Sequence, residues 1–396
     1  MPIQERKTAS RVPASVRFLE HSKIAMAIDL FADIGKPDSE LHPQFLSVRN
    51  LPGYAPARNL IRELQKDFAD PDGNFVEQFQ TFGFDARTFE FFLSVMLEDA
   101  GHEVDRSHDR PDFFVTKGGL TAAVEAVTAN PQPDGTIQPY LNFPKGGSVS
   151  DAIEHLEQTI PIRLGSPLYS KLKKKYWTLP QMQGKPLILA IQDFHTAGAL
   201  LSTSTGLGRY LYGQGQEWWH DEDGNLVIEG HALVEHKLGT KKISSGYFNQ
   251  PGAENISAVL FCNTGTMAKF NRMGHQDTYN DERVRMIRWG TCYRHDPNAA
   301  LPAPFVYEVG DPELGMETWR QGTVLFLNPN ALHPVPSEWF GAALEEKLVD
   351  GERICTFAEP FLPYASMTQI FVDAPLALVQ QFGDAQIQGL LSIFPE

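Results

Sequence analysis

Two stretches constrain this chain more than any others: PLILAIQDF at 186–194 and NISAVLFC at 255–262. Both are short, nearly continuous apolar runs rich in Ile, Leu and Val, with little of the alternation that marks a half-exposed strand. A strand of this kind has both faces covered, as the central strands of helix-flanked sheets do. A chain with two of them is expected to be α/β, with a central sheet and helices over its faces. Its 396 residues, 42% of them hydrophobic, suffice for real cores.

A second stretch, 88–130, carries the chemistry. TFEFFLSVMLEDAG at 88–101 places Phe89, Phe92, Leu93, Val95, Met96 and Leu97 around most of a helix, with Gly101 where a cap belongs. Pro111 opens a strand, followed by Asp112, Phe113, Phe114 and Val115. Lys117-Gly118-Gly119 makes a hairpin turn, and Leu120 to Thr128 returns as the next strand. Alternation then puts Ala123, Glu125 and Val127 on one face. Three carboxylates, Glu90, Asp112 and Glu125, sit among apolar neighbours, where a lone charge is costly. Asp112 and Glu125, on paired strands, repel unless a cation or a proton separates them. Together the three form a plausible cage for a divalent cation.

These residues resemble the PD-(D/E)xK nuclease superfamily. The resemblance rests on Pro111-Asp112, on Glu125-Ala126-Val127, and on the preceding helix with Glu90. It covers residues 81 to 195 and extends toward 270, in the order helix, strand, PD hairpin, acidic strand, basic helix, apolar strand. It implies a restriction-endonuclease-like sheet in which Asp112 and Glu125 hold Mg2+ or Mn2+, with Glu90 as a further ligand. It also implies a metal-dependent nuclease, in restriction or phage defence. The family's lysine, two residues after the Glu, helps activate water; here that position is Val127.

The densest basic run is Lys171, Lys173, Lys174 and Lys175, on a helix read as capped by Ser166 with Pro167 at its first position. Tyr169, Leu172, Tyr176 and Trp177 mark its packed face on this reading. Lys173 is then the basic neighbour that replaces the lysine missing at 127. The alternative is a solvated basic face. Arg87 pairs with Glu90 or reaches a phosphate. Arg283, Arg285, Arg288 and Arg294 form a patch that contacts nucleic acid or serves a structural seam.

Charge bears on partners. The formal net charge is −15, unlike a protein that grips nucleic acid with its whole surface. A local basic patch and metal ions still handle phosphates, and a partner protein can supply the grip. DNA is the expected partner ahead of RNA, and a homodimer is compatible with the reading. The alternative function is a catalytically degenerate nuclease fold used for binding or scaffolding, which Val127 favours. A further alternative is a hydrolase using Cys262 or Cys292 with a histidine. His195, His220, His231 and His236 match no standard zinc spacing. Three scattered cysteines, Cys262, Cys292 and Cys355, argue against a disulfide framework. With no apolar signal core and no transmembrane run, the expected setting is the cytoplasm. The expected organisation is a helical N-terminal extension (1–80), a restriction-endonuclease-like core (81–270) and a β-rich C-terminal region (271–396).

Overall fold

The computed structural model describes residues 28–130, 155–194, 198–311 and 316–394. Residues 1–27, the start of the expected N-terminal extension, and His195 lie outside the described residues.

Four helices come first: α1 (Pro43–Asn50), α2 (Ala55–Leu64), α3 (Phe75–Gln80) and α4 (Phe84–Asp99). Strands β1 (Glu103–Asp105), β2 (Phe113–Lys117) and β3 (Leu120–Ala129) precede α5 (Ile160–Lys173) and β4 (Leu187–Asp193). Helix α6 (Thr205–Tyr212) leads into two ribbons, β5 (Gln214–His220) with β6 (Leu226–Ala232) and β7 (Glu235–Leu238) with β8 (Lys241–Ser244). Next come β9 (Ala258–Cys262), α7 (Met267–His275), β10 (Val284–Cys292), β11 (Ala303–Glu308) and β12 (Thr323–Leu327). Strands β13 (Leu344–Val349), β14 (Glu352–Phe357) and β15 (Pro363–Val372) and helix α8 (Leu376–Leu391) complete the chain.

The central sheet has eight strands in the order β1-β2-β3-β4-β9-β12-β13-β14. It is mixed: β3, β4 and β9 run parallel, while β1, β2 and β3 pair antiparallel, as do β9 and β12. Every residue of β4 and β9 is buried, as their apolar runs require. Alternation splits their side chains between two cores. Ile188, Ala190, Leu260 and Cys262 join the aromatic layer of α4 and α7, with Phe89, Phe92 and Phe270. Leu187, Leu189, Ile191, Val259 and Phe261 join the layer of α5 and α6, with Leu168, Leu172, Leu207 and Leu211. The result is helices on both faces of a mixed sheet.

The sheet does not stop at residue 270. Strands β12, β13 and β14 extend it with residues 323–357. The rest of the C-terminal region forms a second sheet, β11-β10-β15, covered by α8 through Val379 and Phe382.

Helix α4 ends as Gly101 requires. That residue takes φ 85°, and the amides of Gly101 and His102 return to the carbonyls of Glu98 and Leu97. Helix α5 departs from expectation. It runs unbroken through Pro167, and Ser166 is not its cap: the Ser166 hydroxyl donates to the Ile162 carbonyl at 2.7 Å. The stripe Leu164, Leu168, Leu172 is buried on both sides of the proline. That burial outweighs the one backbone bond the proline removes.

A buried charge knot ties α7 to the second sheet. Glu317 accepts from Lys269 at 2.7 Å and from Arg272 at 2.7 and 2.9 Å, and Arg288 lies 3.2 Å away. Burial alone raises the Glu317 carboxyl, but Arg272, Arg288 and Lys269 outweigh it and hold it well below the usual range. Removing one member of a buried ion cluster leaves the others uncompensated. Glu317→Ala is therefore expected to cost about 3–5 kcal/mol of stability in urea unfolding. A loss below about 1 kcal/mol contradicts this account of the knot.

Candidate functional site

The β2–β3 hairpin turns through Gly118 and Gly119, at φ 58° and 81°. Two successive left-handed residues suit a two-residue turn that matches strand twist. The turn fixes the register: Phe113 lies opposite Val124 and Phe114 opposite Ala123. One step further, Asp112 falls opposite Glu125. Asp112 Oδ2 accepts the amide of Ala126 at 2.7 Å. Glu125 shares its face with Ala123 and Val127, which pack beneath α5.

Helix α5 supplies the answering groups. Lys171 follows Leu168 by three residues and adjoins Leu172, so it flanks the buried stripe. Its Nζ donates to Glu125 Oε1. The hydroxyl of Tyr176 donates to the same oxygen at 2.6 Å. Lys175 takes the left-handed conformation, φ 51° and ψ 49°, and folds the chain back so that Tyr176 is buried against the helix it follows.

Lys173 is placed elsewhere. Its ammonium lies 4.9 Å from the ring centroid of Tyr169, which is 43% exposed. The lysine that reaches the carboxylates is Lys171, on the opposite flank of the stripe. The difference is one of phase: reading Tyr169 as buried rotates the packed face toward Lys173.

Glu90 is engaged by arginines. Arg87 Nη1 donates to both its oxygens, at 2.9 and 2.7 Å, and Arg106 Nη2 lies 3.4 Å away. The Arg106 guanidinium sits 3.9 Å from the ring centroid of Phe68. Helix α4, which carries Glu90, packs on the face of the sheet opposite α5. The three carboxylates are still neighbours electrostatically. Burial first, then the charges of Glu125 and Glu90, push the Asp112 carboxyl up to about 8, against the opposing pull of the Ala126 amide and Lys171.

Among the described residues, no group of three or more His, Cys, Asp or Glu side chains is placed to hold a metal ion. A hard cation bound here would thus have two protein carboxylates, from Asp112 and Glu125. That donor set suits magnesium, which keeps waters or substrate oxygens in its remaining positions.

The four arginines lie on and beside the second sheet. Arg283 pairs with Asp281 and Arg285 with Glu308, each at 2.7 Å, while Arg294 Nη2 donates to the Pro302 carbonyl at 3.3 Å. Arg288 is 0% exposed and bonded to Tyr307 and Ser366, so it belongs to the buried knot and not to a surface that meets nucleic acid. Burial raises the thiols of Cys262 and Cys292, which suits inert packing and not nucleophilic use. His236 is buried between the Glu157 carbonyl and Ser245 Oγ.

The electrostatics of Asp112 give a pH dependence with a definite sign. A carboxyl whose folded pKa is raised favours folding while protonated, and that advantage is lost as pH rises from about 4 to about 8. Asp112→Asn keeps an acceptor for the Ala126 amide and removes the charge. It is expected to stabilise the protein at pH 9 by on the order of a few kcal/mol and to flatten stability between pH 5 and 8. Equal slopes for the two proteins in urea unfolding across that range contradict the burial of this charge.

No family model, curated protein or solved structure matches this chain.

Proposed function

We propose that this protein is a metal-dependent nuclease that hydrolyses phosphodiester bonds in DNA or RNA, on a restriction-endonuclease-like version of the mixed sheet. One observation carries the reading: the β2–β3 register, continued one step past Phe113 and Val124, sets Asp112 opposite Glu125, and a lysine ammonium rests on Glu125. Magnesium or manganese, when bound, would acidify a water and stabilise charge developing on the phosphate. Asp112 and Glu125 are the residues that would hold it. A cation held there would compete with the proton on Asp112, so its binding would strengthen as pH rises toward 8.

Lys171 takes the part that Val127 cannot. Val127 is packed into the core under α5, and the ammonium arrives at Glu125 from the helix above. From there Lys171 orients a water and compensates charge on a phosphate oxygen. Glu90 serves as counter-ion to Arg87 and Arg106, at the edge of the centre. The surface arginines Arg283 and Arg285 guide a phosphate backbone, with DNA favoured over RNA. At a net charge of −15, a partner protein supplies part of the grip. Restriction or phage defence is the setting the resemblance suggests.

Cleavage of plasmid DNA and of single-stranded RNA with Mg2+ or Mn2+ tests the reading. Lys171→Met is expected to lower the cleavage rate by about 100-fold or more, the range of general acid–base and electrostatic contributions. Lys173→Met should cut at the wild-type rate. Retention of activity by Lys171→Met would sink the assignment. Binding of nucleic acid without any cleavage would support the degenerate nuclease fold.

The arginine patch has its own measurement. Charge reversal at Arg283 and Arg285 is expected to weaken nucleic-acid binding and to lower the salt slope by about 1 per lost phosphate contact. An unchanged slope returns both residues to a structural role.

A further inference from the structure

We propose that Tyr176 is a positioning residue of this centre, one that fixes which oxygen of Glu125 a cation meets. The inference rests on the metal-dependent reading above. Its basis is geometric. Two donors from one helix-and-turn unit, Lys171 Nζ and Tyr176 OH, converge on Glu125 Oε1. Across the hairpin, Asp112 Oδ2 is held by the Ala126 amide. Each carboxylate therefore has one oxygen fixed by the protein. Glu125 Oε2 and Asp112 Oδ1 are the oxygens without a donor among the described residues.

The two donors differ in stiffness. The lysine reaches Glu125 on a four-carbon stem, which holds a charge nearby without fixing an angle. The tyrosine ring is rigid and 3% exposed, and the left-handed Lys175 sets its entry. Burial in the α5 layer leaves its hydroxyl one direction to point. Tyr176 thus sets the rotation of the Glu125 carboxylate, while Lys171 balances its charge. Asp112 and Glu125 are the residues that would hold a divalent ion, each with one oxygen already engaged by the protein.

Mn2+ binding to the full chain, followed by electron paramagnetic resonance of the free ion, provides the test. Tyr176→Phe keeps the ring and removes the donor. Its Mn2+ dissociation constant is expected to rise about 10- to 100-fold, as for other groups that orient a metal ligand. Circular dichroism should stay close to wild type, with the thermal midpoint lowered by the loss of one hydrogen bond to a buried carboxylate. Tyr176→Phe that binds Mn2+ as the wild type does overturns the positioning role alone. A wild type that binds no Mn2+ overturns the cation reading and the role of Tyr176 with it. A second measurement covers the case in which Tyr176→Phe does not fold. With 3-fluorotyrosine at 176 in the otherwise unchanged chain, Mn2+ should broaden the fluorine resonance, since the ring hydroxyl bonds the carboxylate that would hold the ion. A sharp resonance in the Mn2+-loaded protein overturns the proposal.

Discussion

The alternation of side chains along β3, β4 and β9 is the constraint from which the rest follows. Each strand sends successive residues into two different apolar layers, so the sheet exists only if helices arrive on both faces. The layers are unlike. The α4 side is built from phenylalanines that stack and tilt against one another, with Phe91 and Phe270 at 5.4 Å and Phe270 and Trp319 at 5.2 Å. The α5 side is mainly aliphatic and contains the one acidic position of β3. A carboxylate can occupy that layer because α5 carries a lysine and the turn beyond it a tyrosine.

The sequence announced the strands more clearly than the phase of the helices. PLILAIQDF and NISAVLFC became β4 and β9 because continuous apolar runs leave few alternatives. The Gly118-Gly119 turn and the opposition of Asp112 to Glu125 were equally readable, since strand alternation has period two and a turn of fixed length sets register. Helix α5 was harder. A proline in mid-helix looked like a start, and an exposed tyrosine looked like core. Shifting the packed face by part of a turn was enough to exchange Lys171 for Lys173.

Arginines were the least legible residues. Arg283, Arg285, Arg288 and Arg294 are close in sequence, and spacing alone suggests a shared surface. On a strand, alternate residues face opposite ways, and Arg285 and Arg288 part company for that reason. Their acidic partners, Glu308 and Glu317, come from other parts of the chain. Arg106 was invisible for a similar cause. It lies in a polar stretch after β1, and only the fold brings Phe68, Phe75 and Phe113 around its guanidinium.

The crossover from β3 to β4 has a consequence for the order in which the protein assembles. The β2–β3 hairpin is local and closes through a two-residue turn, so it can form early. Once formed, it sets Asp112 opposite Glu125, one step beyond the Phe113–Val124 pair. The donors to Glu125 are Lys171 and Tyr176, which are 46 and 51 residues further along the chain. The hairpin and α5 are thus interdependent: Glu125 meets its two donors only when the helix docks, and the helix and the turn beyond it are tied to the strand through them. Any opening that lifts α5 from the sheet must release both partners of Glu125 at once. Local opening of α5 is accordingly expected to expose Glu125 in one step.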